Sequence, residues 1–156
     1  MEREFVFSEA QAMTPLVRRI LSDLVEVQRE RTRLDREVDL LMDCRKSPRY
    51  NLRRRLYAAE NTLQQCTQKY EALTAELEDL GVRLIDAASG VAGFQFNWAP
   101  TVGSDKIRKA LFLLKLSDEP STGIRRWRFD GERTEHRVPS HWVEEPKVSV
   151  GEEKTL

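Results

Sequence analysis

From Val17 onward the apolar positions keep a helical beat. Val17, Ile20, Leu24, Val27, Arg31, Leu34, Val38 and Leu41 recur in alternating steps of three and four. That is the a/d seam of a helix lying lengthwise on another helix, and Arg31 is its one polar member. A second seam runs through Leu52, Leu56, Ala59, Leu63, Cys66, Tyr70, Leu73, Leu77 and Leu80, with Gly81 placed to close it. Ser47-Pro48 between the seams supplies an N-cap and a first helical residue. Two matched seams joined by a short connection predict an antiparallel hairpin. Each arm has roughly 30 residues and so spans about 45 Å at 1.5 Å per residue.

The start of the first arm reads two ways. Ser8-x-x-Gln11 forms a capping box, which predicts a short helix from residue 9 that kinks at Pro15. Thr14-Pro15 offers a later start for the long helix. Phe5-Val6-Phe7 before it is β-prone. Folding about the connection sets Arg31 level with Ala59–Leu63, so its head reaches Glu60 or snorkels to water. Leu16, Leu21 and Val25 widen the stripe, which implies a cover beyond the second helix; the tip half adds only Leu40 and Met42.

After Gly81 the period shortens. Strands are predicted over Val82–Asp86, Phe94–Trp98, Ile107–Leu116 and Ile124–Asp130, with Asp130-Gly131 turning the chain towards His136-Arg137-Val138. Ser89-Gly90 and Asp118–Gly123 read as turns and Ala99–Lys106 as a loop. Close spacing implies an antiparallel sheet against the open end of the hairpin, near Leu21, Val25, Leu73 and Leu77. The fold class is α+β: a long, coiled-coil-like helical hairpin (9–80) followed by a small antiparallel sheet (82–138). Residues 1–143 form one domain, and 144–156 are expected to be a disordered tail.

Composition narrows the function classes. The 156 residues carry 26 Lys+Arg against 26 Asp+Glu, which excludes a uniformly basic nucleic-acid coat. No apolar run approaches the roughly 18 residues of a membrane span. Cys44 and Cys66 are read as free thiols and the charged opening Met1-Glu2-Arg3-Glu4 leads into no apolar leader segment, so a cytoplasmic setting is expected.

The zero net charge hides one anomaly. Arg45, Lys46, Arg49, Arg53, Arg54 and Arg55 fall in eleven residues without an acid, and Tyr50 lies among them. The flanking shafts are acidic: 1–44 hold seven basic and ten acidic groups, 56–80 one and five. Arginine suits bidentate contact with phosphate. Cations are also unfavourable at a helix N-terminus, so helix stability does not account for the cluster. A second basic run, Arg125-Arg126-Trp127-Arg128, turns Trp127 and Phe129 inwards and Arg126 and Arg128 outwards towards Arg137.

Other chemistry is sparse. His136 and His141 belong to no metal-ligand spacing. Cys66 lies in the seam; Cys44, beside Arg45 and Lys46, is a candidate reactive thiol. Gly90-x-x-Gly93 is too short to cradle a phosphate. No catalytic residue, metal site or cofactor is assigned.

The opening Phe5-x-Phe7-Ser8-Glu9-Ala10-x-x-x-x-Pro15, then Leu80-Gly81-Val82, then Asp86-x-x-x-Gly90-Val91-x-x-Phe94 resemble an uncharacterised bacterial family, domain of unknown function family 2203. Its later motifs resemble Trp127 and the Arg137-x-Pro139 stretch, with Gly93, Leu113, Leu114, Arg128, Phe129 and His136 departing from the pattern. The resemblance implies no established activity. Gly90, Trp127, Arg128 and Arg137 form a candidate family-motif cluster. The leading expectation is a non-catalytic interaction or scaffold protein using the hairpin for a homodimer or a protein partner. The alternatives are nucleic-acid binding at the basic tip and an enzyme with a pocket between sheet and hairpin.

Overall fold

The structure, a computed structural model, describes residues 3–43, 50–99, 106–119, 122–140 and 142, with Tyr50 described through its backbone only. Two long helices, α1 (Phe7–Asp43) and α2 (Tyr50–Asp79), precede a sheet of β1 (Arg83–Asp86), β2 (Val91–Trp98), β3 (Arg108–Lys115), β4 (Arg126–Phe129) and β5 (His136–Arg137). Every neighbouring pair of strands is antiparallel, and the spatial order follows the chain, β1-β2-β3-β4-β5. The expected Ser47-Pro48 start, the connection at 100–105 and the tail 144–156 lie outside the described residues.

Neither predicted start of α1 holds. The helix begins at Phe7 and runs through Pro15. The Val6 N–H donates to Glu9 Oε1 at 3.2 Å, so the reciprocal half of the cap comes from Glu9. Gln11 serves another element: its Oε1 accepts the Ile124 N–H at 2.9 Å, across the fold. Pro15 has no N–H for the Gln11 carbonyl four residues back. The Thr14 hydroxyl donates to that oxygen instead, at 2.8 Å, and the helix continues. Phe5 meets the β-prone expectation in part, since its N–H donates to the Gln95 carbonyl at 2.7 Å. At the far end Gly81 and Val82 donate to Glu78 and Leu77, which closes α2 as the sequence predicts.

The seam divides into two cores. One joins Val17, Ile20, Leu24, Val27, Leu73 and Leu77 to the sheet residues Ala92, Phe94, Phe96, Ala110, Phe112 and Leu114, with Phe96 stacked on Phe112 at 4.0 Å. The other is confined to the hairpin: Leu34, Leu41, Leu56 and Ala59, with Val38, Leu52, Leu63 and Cys66 partly buried around them. Leu21 and Val25 are buried at the sheet end as expected, but Leu16 is 49% exposed. Five positions before Leu21, it falls about 140° round the helix and misses the sheet. Arg31 sits between the two cores. Its guanidinium lies 4.8 Å from the centroid of the Tyr70 ring, a cation–π contact, and the residue stays half-buried.

Strand alternation sorts the sheet into two faces. Trp127 and Phe129 join the helix-side core, and Trp127 stacks on His136 at 4.5 Å. The opposite face carries Gly93, Gln95, Leu111, Leu113, Arg126 and Arg128. Arg83 lies across it, donating to Gln95 Oε1 at 3.3 Å and to Asp130 at 2.9 Å.

Candidate functional site

Of the seven residues proposed for the basic tip, the structure places three. Arg45, Lys46 and Arg49 lie outside the described residues, and nothing is described of the Tyr50 side chain. Arg53, Arg54 and Arg55 are exposed on the first turns of α2, which has no acidic residue in its first turn. Arg55 faces Glu37 of α1 at 3.6 Å, while Arg53 and Arg54 make no ion pair among the described residues.

The family-motif cluster is not one place. Gly90 ends the β1–β2 turn. Trp127 is 7% exposed in the core, while Arg128 and Arg137 stand on the opposite face of the sheet. The space between sheet and hairpin is filled by Phe94, Phe96, Phe112, Leu21, Leu24 and Leu77, all fully buried.

The Asp86–Gly90 motif is a turn lock. The Asp86 carboxylate accepts the Ala88 N–H at 3.0 Å and the Ser89 hydroxyl at 2.6 Å. These bonds, Ser89's foremost, hold its pKa below the ordinary 3.8. Gly90 donates to the Asp86 carbonyl at 3.0 Å and accepts the Leu116 N–H at 2.9 Å. Its φ is +76°, and a Cβ there would lie 2.4 Å from Leu116 Cδ1 and 3.0 Å from Val25 Cγ2.

The model of the uncharacterised conserved protein family DUF2203 matches residues 3–100. The chain belongs to this family. The DUF2203 match covers both helices, β1 and β2, and therefore the turn lock and the hairpin. It ends before Trp127, Arg128 and Arg137. No curated protein and no solved structure matches the chain.

One feature of the hairpin escaped the sequence pattern. A groove of about 450 Å³ runs along the outer side of α1, lined among others by Gln28, Arg29, Thr32, Arg36 and Leu40. Arg33 and Glu37 line it too, and Arg33 is engaged by Glu30 and Glu37. Arg29 and Arg36 have no acidic partner among the described residues. Their i, i+7 spacing is visible in the sequence, but which of the α1 charges are neutralised is not.

Proposed function

We propose that this DUF2203 chain is a non-catalytic interaction protein that pairs with a second copy of itself through the distal half of its hairpin. The carrying observation is the contrast between a small distal core, Leu34, Leu41, Leu56 and Ala59, and the exposure of Leu40 (69%), Tyr57 (67%) and Met42 (41%) around it. Burying a Leu or Met fully is worth about 1.5–3 kcal/mol, and a two-fold contact counts each twice. Charge supports a second copy as the occupant: Arg29 and Arg36 line the α1 groove, while residues 56–80 of α2 carry five acids and one base. The pairing completes a four-helix arrangement. The same reading carries a coiled-coil pairing of the arms, from the three–four spacing of the seam, and a bacterial cytoplasm as its setting, in keeping with the free Cys66 thiol. Light scattering tests it. The expected mass is near twice 18.2 kDa, falling to the single-chain mass when Leu40→Lys and Tyr57→Lys are combined. A strict monomer at high concentration overturns self-pairing.

A second reading rests on Arg53 and Arg54, exposed and without ion pairs among the described residues. If they contact phosphates of a nucleic acid, changing both to Ala flattens the slope of log K against log salt by nearly two units, at about 0.9 per contact on B-DNA. Arg55→Ala changes it less, because Glu37 already holds that guanidinium. No binding of a duplex at about 50 mM salt, where screening is weak, removes this reading.

A further inference from the structure

The outer face of the sheet holds an unusual grouping of like charges. In the β4–β5 ladder Arg126 pairs directly with Arg137. Like charges directly opposite one another destabilise a sheet. Arg128 follows Arg126 by two positions on the same face. Opposite residues stand about 4.5–5.5 Å apart and diagonal ones about 7–8 Å, within reach of three arginine side chains towards a common point.

The nearby acid is shared with a lysine and, among the described residues, reaches only Arg126 of the three. Glu135 is bound by Lys115 at 2.6 Å and lies 3.9 Å from Arg126 Nε. Among the described residues Arg128 and Arg137 have no acidic partner. Arg128 crosses the face opposite Leu111, which is 1% exposed. Its Nε is buried and meets no acceptor among the described residues. A buried charged donor without an acceptor is costly, and neither the sheet ladder nor the core needs a guanidinium there. An oxyanion would supply the acceptor and relieve the Arg126–Arg137 repulsion together.

We propose that Arg126, Arg128 and Arg137 form a binding site for the dianionic phosphate group of a small phosphomonoester on the face of the sheet turned away from the helices. Three guanidiniums around one point favour a doubly charged group over the singly charged diester of a nucleic-acid backbone. The site is independent of the hairpin pairing, and it shares no residue with the basic tip.

The test is calorimetric titration of the full chain with inorganic phosphate at low ionic strength, with thermal melting as a second readout. Phosphate is expected to bind and to raise the melting temperature. Arg128→Gln should weaken binding at least tenfold. Arg128→Lys should recover only part of it, because the lysine keeps the charge and loses the fork. Glu135→Gln should tighten binding by removing the competing carboxylate. Arg125→Gln, on an exposed residue outside the three, should leave it unchanged. Melting of each variant without phosphate separates loss of the site from loss of the fold. Three results overturn the proposal: no phosphate binding by the native chain, equal binding by a folded Arg128→Gln, or binding of a single-stranded oligonucleotide with none of phosphate.

Discussion

Gly90 combines two constraints that a side chain cannot meet together. Its φ of +76° costs an alanine roughly 1–2 kcal/mol. The Cβ would also press on Leu116 Cδ1, and overpacking costs about 1–3 kcal/mol more. Gly131 has a similar φ of +83° but nothing within 4 Å. Gly90→Ala should therefore lower the urea midpoint clearly more than Gly131→Ala, and equal shifts would show that contact with Leu116 and Val25 is not what the turn protects. Asp86 adds a pH dependence of known sign. Its folded pKa lies below the ordinary value, so its contribution is complete above about pH 4 and is lost as the pH falls through the folded pKa. Asp86→Asn should be less stable than the native chain at neutral pH, and the two should converge in acid melts. The motif was visible in the sequence as spacing. Ser89-Gly90 also read as a turn, but the crowding of Gly90 was hidden, because the atoms that press on it come from α1 and from Leu116 just after β3.

Within the elements, burial along the seam is uneven. Leu34 is 3% exposed, whereas Leu63 is only partly buried. Leu34→Ala should cost about 2–5 kcal/mol and Leu63→Ala distinctly less, as read from denaturant midpoints; the reverse order would mean a different pairing of the arms. The seam was legible because three–four spacing places side chains on one stripe whatever the partner. The start of α1 was not. Local rules see a proline and a capping box, while the outcome turns on Thr14 taking the carbonyl that Pro15 leaves and on Ile124 claiming Gln11. The strands were found nearly in place, since alternation marks them, and the outward setting of Arg126 and Arg128 followed from it. The direct pairing of Arg126 with Arg137 needs the register of the β4–β5 ladder, which the residues between them do not specify.

At the scale of the whole molecule, the hairpin joins a well-buttressed end to a slender one. α2 meets the sheet at β1, and the distal core lies clear of the strands. Amide exchange should follow this gradient. Amides of α1 around Leu21 and Leu24 should exchange through the most costly opening, those around Leu34 and Leu56 more readily. If the hairpins pair as proposed, the distal amides should slow with rising protein concentration. A gradient that does not respond to concentration would be that of a lone hairpin. The basic tip remained half legible for the same reason: a run of arginines is evident in a sequence, but Glu37 reaches Arg55 from the other arm.

The clasp between Gln11 and Ile124 spans 113 positions, and this bears on how the chain is made. Both arms of the hairpin have left the ribosome long before Ile124. At about 5–20 residues per second, the roughly forty residues that follow the second arm take about 2–8 s to synthesise. During that interval Phe7, Ala10, Val17 and Leu21 have the second arm but no sheet to lie against. A nascent chain at this stage offers one apolar stripe to its surroundings until β3 and β4 arrive and the Ile124 N–H reaches Gln11.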